Sequence, residues 1–417
     1  MPSQPHTSRR TLLAAGVGIL ALPAVPAAAS AAAGAGPAAA VAVPGSTVFA
    51  RTAGGSHTYR IPAIVRTPRS GDLLAFAEDR LGDADDNGNI NLVMRRSKDR
   101  GRTWGELKVI WSDGRNKIGP GVPVVDQRSG DIVLLAIRTA GHVSAEDINT
   151  GRASWEDSRR PFVLRSTDEG RTWSDPVEIT DAVKPRRWRH FVFGPGHAIQ
   201  LTRGRHAGRI VVPGNHTGIP PAGSDDRGTE AKYHGVHLAY SDDGGHTWKL
   251  GATDENYDGR YVNGDESQLI ELTDGTLYQS VRDQGGNTPG HRAYVLSEDG
   301  GESYAGGLKS QRELETAVVQ GTVQRVFATD QGDDSNLILF SSAKETATGG
   351  RGAMVIWRST NEGRDWEEAH TVWPERSAYS DMVKLSDDYL GLLFEAGQNN
   401  PYEEISFARI SISNLVR

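Results

Sequence analysis

An eight-residue pattern that the chain repeats five times restricts its fold more than any other feature. The pattern is Ser-x-Asp-x-Gly-x-Thr-Trp, with some copies degraded. An Asp in a turn accepts hydrogen bonds from nearby backbone N–H groups, and Gly tolerates the positive φ of a tight hairpin. Self-similarity at intervals of some tens of residues indicates a repeat architecture. The five octets are SKDRGRTW (97–104), STDEGRTW (166–173), SDDGGHTW (241–248), SEDGGESY (297–304) and STNEGRDW (359–366).

A second repeat consists of turn residues followed by a short apolar strand, and it occurs six times. Short apolar runs bounded by Gly and Asp are strand signals. The six runs are GDLLAFAEDR (71–80), GDIVLLAIR (130–138), GRIVVPGNH (208–216), DGTLYQSVRD (274–283), SNLILFSSA (335–343) and DYLGLLFEAG (388–397). Six strand repeats and five octets predict an all-β, six-bladed β-propeller. The even spacing disfavours the alternatives, a long β-sandwich or two tandem all-β domains.

The blade without an octet is the sixth, and its outer strand is expected from the start of the chain, at residues 47–50. Equivalent blades would bring the ends of the repeated strands to one mouth of the central axis, where a rigid scaffold can assemble a site. The polar residues expected there are Glu78, Arg80, Arg138, His216, Arg282, Ser341 and Glu395.

The amino-terminal 45 residues are typical of an export segment. Twin arginines (Arg9 and Arg10) precede a short apolar run and an Ala-x-Ala tract, which indicates a signal peptide of the twin-Arg type. The apolar run is too short to span a bilayer comfortably. We therefore expect a secreted protein with residues 1–45 as signal and Ala/Pro/Gly segment, and residues 46–417 as one propeller domain.

Composition excludes several kinds of chemistry. The 417-residue chain has no cysteine, which rules out thiolate nucleophiles and Cys-ligated zinc or iron–sulfur sites. Its formal net charge of −7 argues against a general nucleic-acid surface. Residues 83–90 resemble the first half of an EF-hand loop, but Met94 occupies the position of the bidentate Glu. No metal, no other cofactor, no nucleic acid and no stable membrane insertion are expected, and the protein is expected to be a monomer.

Three stretches resemble the bacterial sialidases (exo-α-neuraminidases). Tyr59-Arg60-Ile61-Pro62 matches their YRIP motif, the octets are similar to their Asp-boxes, and Tyr379-Ser380-Asp381 stands in the expected order. Asp-boxes alone are weakly specific, since unrelated propellers carry them. Together with three arginines in order, the motifs form a specific signal that covers nearly everything after residue 45. Departures from the common pattern are Gly119, Asp265, Tyr304 and Asn361.

The resemblance implies a role for each of eight residues. Arg60, Arg282 and Arg351 match an arginine triad that binds the substrate carboxylate, and Arg80 is expected to line the same pocket. Tyr379 matches the nucleophile and Glu266 its base. Asp86 matches the general acid, with Asp85 and Asp83 as close competitors, and Glu395 is expected to orient Arg60.

The chemistry of the substrate agrees with these residue types. Sialic acids carry a carboxylate on the anomeric carbon, and guanidinium groups bind carboxylates in a bidentate geometry. A neutral phenol avoids the repulsion that a carboxylate nucleophile would meet there, and sialidases are an exception to the two-carboxylate rule of glycosidases. A phenol of pKa about 10 needs a base.

The sequence thus predicts a retaining hydrolase that removes terminal α-linked sialic acid from glycoconjugates. Hydrolysis of a related 2-keto-3-deoxy sugar such as Kdn, or transfer to an acceptor sugar, would use the same residues. A non-catalytic glycan-binding propeller would lack at least one of Tyr379, Glu266 and Asp86, and all three are present.

Overall fold

The computed structural model describes residues 45–82, 88–257 and 262–416, and these residues form an all-β, propeller-like fold. The expected export segment lies outside the described residues except for Gly45. Among the described residues, no helix has the length and apolar character needed to cross a membrane.

The described residues form twenty-five strands. The first nine are β1 (Ser46–Ala50), β2 (His57–Arg66), β3 (Leu73–Leu81), β4 (Asn89–Ser97), β5 (Lys108–Trp111), β6 (Lys117–Val125), β7 (Ile132–Thr139), β8 (Arg160–Ser166) and β9 (Val177–Glu178). The next nine are β10 (Trp188–Phe193), β11 (Ile199–Gln200), β12 (Ile210–Gly218), β13 (His234–Ser241), β14 (Lys249–Thr253), β15 (Gly264–Glu271), β16 (Leu277–Asp283), β17 (Arg292–Ser297) and β18 (Lys309–Ser310). The last seven are β19 (Gly321–Phe327), β20 (Leu337–Glu345), β21 (Arg351–Ser359), β22 (Glu367–Trp373), β23 (Arg376–Lys384), β24 (Tyr389–Gly397) and β25 (Glu404–Ser411).

Within the described ranges, helices are few and short. Helix α1 (Ala145–Thr150) begins after Ser144, whose hydroxyl accepts a hydrogen bond from the Asp147 N–H, and α2 (Thr180–Val183) is a single turn. Single 3-10 turns lie at Ala53–Gly55, Gly204–His206, Ala231–Tyr233, Pro289–His291, Thr329–Gln331 and Ile412–Asn414.

Three sheets follow chain order almost strand by strand. They are β10-β12-β13-β14 (with β11 beside β12), β15-β16-β17-β18 and β19-β20-β21-β22. All neighbouring strands in them are antiparallel, as expected for strands joined by short hairpins. Each of the six repeated apolar runs predicted from the sequence is the second long strand of its group: β3, β7, β12, β16, β20 and β24.

The largest sheet contains β2 to β9 and consists of two antiparallel halves. One parallel pair, Ile90 with Lys117, joins β4 of the first half to β6 of the second. Phe76 and Leu92 of the first half belong to the same apolar cluster as Ile118 and Leu134 of the second. The two halves therefore pack face to face, which a continuous flat sheet would not allow.

The start and the end of the described chain share one sheet. Its order is β1-β25-β24-β23, and β1 pairs antiparallel with β25 through Ser46 with Phe407 and Thr47 with Ser406. The predicted contribution of residues 47–50 to the last blade is confirmed by this pairing. Val48, Leu393 and Phe407 of this sheet pack on Leu73 of β3, so the last sheet contacts the first.

The octets form the expected hairpins. In the first octet, Asp99 Oδ1 accepts hydrogen bonds from the N–H groups of Arg102 (3.0 Å) and Thr103 (2.9 Å). Hydrogen bonding by Thr103 lowers the pKa of Asp99 to about 2. The closing Trp104 packs edge-on against Phe407 of β25 at 5.5 Å between ring centroids. The octet thus forms the turn of one hairpin and packs its aromatic side chain against the neighbouring sheet.

Candidate active site

One pocket gathers residues from both ends of the described chain. Its volume is about 450 Å³, and six of the residues implied by the sequence line it: Arg60, Arg80, Glu266, Arg282, Arg351 and Tyr379. Glu395 lies directly beneath it and is fully buried. Asp86 and its competitors Asp85 and Asp83 lie outside the described residues.

Arg60 is held by a buried ion pair. It lies on β2, and its Nε donates to Glu395 Oε1 of β24 at 2.7 Å. Burial alone would lower the pKa of Arg60, but the Glu395 carboxylate raises it, so the guanidinium stays charged. Glu395 is therefore in direct contact with Arg60, the residue that it was predicted to orient.

Tyr379 and Glu266 are in direct contact. The Tyr379 hydroxyl of β23 donates to Glu266 Oε1 of β15. Arg282, on the neighbouring strand β16, donates from Nη1 to the other carboxylate oxygen, Oε2, at 2.6 Å. The pKa of the Tyr379 phenol is raised, mainly because the group is buried and secondly because of the negative charge of Glu266. The phenol is therefore neutral, and its proton already points at a carboxylate that can accept it.

Tyr402 is a site residue that the sequence reasoning missed. The Arg60 guanidinium lies 3.8 Å from the centre of its ring, and Arg351 Nη1 donates to its hydroxyl at 2.9 Å. Arg60 and Arg351 also lie 5.3 Å and 5.4 Å from the ring centre of Tyr379. Tyr402 follows β24 in a turn with no periodic pattern, so no sequence signal identified it.

Arg80 lies on the pocket wall beside Glu78. Its Nη2 donates to Glu78 Oε2 at 2.6 Å, and both side chains are buried. A Cβ on the neighbouring Gly119 would lie 2.3 Å from Glu78 Oε1, so any side chain at this position would displace the glutamate. Gly119 therefore leaves room for the Glu78–Arg80 pair.

Further polar side chains line the pocket, and the sequence reasoning did not anticipate them. They include Lys117, Asn149, Arg159, His190 and His234. Burial holds the pKa of His190 well below its usual value, and burial also lowers the pKa of His234 despite nearby Asp265. Both imidazoles are therefore neutral near pH 7 and offer hydrogen bonds without adding charge.

Besides Glu395, three predicted strand-end residues are not part of the pocket lining: Arg138, His216 and Ser341. Ser341 is fully buried, and its hydroxyl is hydrogen-bonded to that of Ser380 at 2.8 Å. Arg138 Nε donates to Asp113 Oδ2 at 2.6 Å, and the next residue, Thr139, lines the pocket instead. Successive side chains on a strand point to opposite faces, so a one-residue difference decides which of them faces the site. His216 stacks on Trp188 at 3.6 Å between ring centres and is fully buried.

The comparisons with known proteins agree with this geometry. Residues 71–392 match the family model described as a BNR repeat-like domain. A sialidase of Micromonospora viridifaciens is 32% identical over 366 residues, which cover 85% of this chain and 52% of that protein. The chain belongs to the sialidase family with BNR repeats.

Further members of the sialidase family show the same likeness. A sialidase of Bacteroides fragilis is 26% identical over 395 residues, covering 89% of this chain and 65% of that protein. The solved structure of the Hadza microbial sialidase Hz136 superposes with a TM-score of 0.71 at 26% identity, covering 86% of this chain and 66% of that one. The chain thus spans between about half and two thirds of the length of these relatives.

Proposed function

We propose that the chain is a retaining glycoside hydrolase that removes terminal α-linked sialic acid from glycoconjugates, with Tyr379 as nucleophile. The observation that carries this proposal is the hydrogen bond from Tyr379 to Glu266 inside a ring of three arginines. The sialidase relatives support the same reaction.

The arginines would bind and orient the sugar. Arg60, Arg282 and Arg351 converge on Tyr379 from three different strands, so a carboxylate bound among them places the adjacent anomeric carbon near the phenol. Arg60 is held by the fully buried carboxylate of Glu395 and Arg282 by the partly buried carboxylate of Glu266, which limits the rearrangement needed on binding.

Tyr379 and Glu266 would perform the first displacement. As the phenolic oxygen bonds to the anomeric carbon, Glu266 takes the phenolic proton. The bond to the aglycone breaks with its electron pair, and the aglycone oxygen is protonated by the acid. Water then attacks the anomeric carbon and gives one proton to the conjugate base of the acid, the bond to Tyr379 breaks with its electron pair, and Glu266 returns its proton to the phenolate. Two displacements give net retention.

For the general acid, we propose Asp86, on the segment that connects β3 to β4. Asp86→Ala should lose far more activity on natural sialyl disaccharides than on substrates with activated leaving groups, because only poor leaving groups need protonation. Equal losses on both substrates, or a larger effect of Asp85→Ala, would show that the acid is a different residue.

The decisive experiment is the release of fluorophore from an α-sialoside and from its Kdn counterpart. Wild-type protein should hydrolyse the sialoside, and Tyr379→Phe should lower kcat by about 10³-fold or more. Tyr389→Phe, at an exposed tyrosine of β24, is the matched control and should keep full activity. Binding without release would favour a glycan-binding propeller, and release from the Kdn glycoside alone would reassign the substrate.

We also propose that the fold has six blades. Counting the two halves of the largest sheet as separate blades gives six groups, five of four strands and one of five. This division is reasonable because, in the described part of the chain, the pair Ile90 with Lys117 is the one ladder pair that joins the halves. An apolar cluster lies between the halves, as it does between other neighbouring sheets. A crystal structure with β2 to β9 in one continuous layer would contradict this count.

Export by the twin-Arg route is proposed for residues 1–45, with the propeller domain acting outside the cell. The basis is the Arg9-Arg10 pair and the Ala-rich tract that follows it. A reporter fused to residues 1–45 should be exported, and the double variant Arg9→Lys, Arg10→Lys should keep it inside. Equal export of both fusions would argue against this route.

A further inference from the structure

Asp381 is a fully buried carboxylate that the proposed mechanism does not use. It lies two residues after Tyr379 on β23. Its Oδ2 accepts a hydrogen bond from the Ile64 N–H of β2 at 2.8 Å. Its Oδ1 accepts from the Met382 N–H at 2.9 Å and contacts His197 Nδ1 at 2.7 Å. One side chain therefore connects the strand of Tyr379, the strand of Arg60 and the segment before β11.

Both strands are irregular where they carry site residues. The register of β2 against β3 shifts between Arg60 and Ala63, and that of β23 against β24 shifts between Ser377 and Ser380. Ile61 has a φ of 56°, which is unfavourable for a β-branched residue. Bulges interrupt the regular ladder and leave backbone groups that need other partners.

Two buried carboxylates supply those partners. Glu395 accepts from the N–H groups of Ile61 (2.8 Å) and Tyr379 (3.1 Å), and Asp381 accepts from Ile64 on the far side of the bulge. The backbone around Tyr379 is therefore set by side chains and not by strand pairing alone. A change in the direction of either carboxylate would move the phenol.

His197 fixes the direction of the Asp381 carboxylate. A carboxylate only accepts hydrogen bonds, so the His197 Nδ1 carries the proton. A Cβ on the preceding Gly196 would lie 2.6 Å from the Gln268 amide nitrogen and 3.4 Å from Asp381 Oδ1, so this segment is tightly packed. Gln268 also donates to the Pro195 carbonyl at 2.7 Å, which holds the segment against β15.

Charge strengthens the pair. Burial tends to lower the pKa of His197, but Asp381 outweighs it and raises the pKa. Among the groups in the described part of the chain, Asp381 is the one charged side chain that contributes to this shift. The His197 side chain is 12% exposed, so its proton can exchange with solvent.

We propose that His197 and Asp381 are positioning residues that hold the backbone of Tyr379 in register with Arg60. This inference rests on the proposed function for its effect on catalysis. Its structural part, the restraint of β2 and β23 by the His197–Asp381 pair, is independent of the substrate.

The test combines kinetics with amide hydrogen exchange for His197→Ala, His197→Gln and Asp381→Asn. In His197→Ala, kcat on a fluorogenic α-sialoside should fall by about 10- to 100-fold, as expected for a small misplacement of a reacting group, with a much smaller change in KM. His197→Gln should recover much of kcat, because its amide can still donate to Asp381. His246→Ala, at an exposed histidine of the third octet, is the control and should match wild type.

Hydrogen exchange decides the structural part separately. Amides in β2 and β23 should exchange faster in His197→Ala than in wild type or His246→Ala. Unchanged exchange would overturn the proposal, whatever the activity. Faster exchange with unchanged kcat would mean that the pair contributes to stability alone, and this result would also overturn the proposal. If wild type releases neither sugar, the proposed function fails, and the exchange data still decide whether the pair restrains these strands. If Asp381→Asn does not fold, the two His197 variants suffice.

Discussion

Glu395 accepts hydrogen bonds from Arg60, Ile61 and Tyr379 while having no exposed surface. A buried carboxylate of this kind is costly to desolvate, and its removal leaves a buried guanidinium and two buried N–H groups with weaker partners. The residue thus couples the stability of the fold to the geometry of the site.

Replacing Glu395 by Gln should be strongly destabilising. Breaking a buried ion pair from one side typically costs about 3–5 kcal/mol, and Gln also places an N–H₂ group near the Arg60 guanidinium. Urea unfolding of Glu395→Gln should show a loss of this size. The matched control is Glu367→Gln, which breaks a pair with Arg358 in which the glutamate is 66% exposed. A loss below about 1 kcal/mol is expected there, and equal losses in both variants would contradict the role of burial.

The His197–Asp381 pair should make stability depend on pH in a defined direction. The pKa of His197 is raised in the folded protein, so the extra stability is fully present below the unfolded value of about 6.5 and is lost as pH rises through the folded value. The difference in unfolding free energy between wild type and His197→Gln should therefore be largest below about pH 6.5 and shrink as the pH rises through the raised pKa of His197. The other histidines are present in both proteins, so their contributions to this difference cancel. A difference that is constant or grows with pH would contradict the assignment.

At the level of single residues, the sequence allowed us to predict which side chains share the pocket better than what surrounds them. Arg60, Glu266 and Tyr379 lie in one pocket as expected, because their motifs are specific. Tyr402 was missed because an aromatic residue in an irregular turn has no recognisable spacing. Arg138 was placed wrongly because the sequence does not reveal on which face of a strand a terminal residue lies.

The octet is the element whose sequence and structure agree most closely, although one feature could not be predicted. Its fifth residue, a glycine, has positive φ as expected, for example 83° at Gly101. The fourth residue also has positive φ where it is not glycine: 59° at Arg100, 60° at Glu169 and 63° at Glu362. The tight turn needs two left-handed residues in succession, and the hydrogen bonds of the Asp offset the strain of the first.

The fifth octet reverses the side-chain bridge of the others. In the first octet, the Thr103 hydroxyl donates to Asp99 at 2.6 Å. In the fifth, Asn361 stands in the Asp position and its Nδ2 donates to Asp365, which occupies the Thr position, at 2.7 Å. Asn361 also still accepts from the Asp365 N–H at 3.0 Å. Asn361 in place of Asp and Asp365 in place of Thr compensate for each other. The side-chain hydrogen bond that closes the turn is therefore reversed in direction and not lost.

This exchange predicts a coupled pair. Asn361→Asp should destabilise the protein because it sets two carboxylates against each other, and Asp365→Thr should weaken the bridge because Thr does not accept from Asn as a carboxylate does. The double variant recreates the arrangement of the first octet and should restore stability. A double-mutant cycle by thermal unfolding should give a coupling energy of about 0.5 kcal/mol or more. Additive effects would mean that the two side chains act independently.

At the scale of the whole molecule, the repeats allowed the all-β architecture and the contribution of residues 47–50 to the last sheet to be predicted. The additional polar side chains of the pocket could not be predicted, because they come from segments outside the two repeats. Helix α1, for example, supplies Asn149 to the lining from a segment with no strand signal.

We expect the stability of the fold to depend on strand β1, because β1 connects the last sheet to the first. Phe49 is 1% exposed and packs on Tyr59 of β2 at 5.3 Å between ring centres, so β1 joins the last sheet to the first. Ser46 strengthens the joint, since its hydroxyl donates to the Gly101 carbonyl at 2.7 Å and accepts from Trp104 Nε1 at 3.0 Å. Removing β1 would expose this apolar interface and an unpaired edge of β25.

Two truncations that differ only in β1 test this dependence. A chain that begins at Gly45 should unfold at the same temperature as the full-length protein, because it keeps every contact of β1. A chain that begins at Arg51 should melt at a clearly lower temperature or aggregate, since burial of one Phe side chain alone is worth about 3–5 kcal/mol by truncation to Ala. Phe49→Ala in the longer chain separates the packing contribution from strand pairing. Equal melting temperatures for the two truncated chains would show that the ring closes without β1, through β2 and β23 alone.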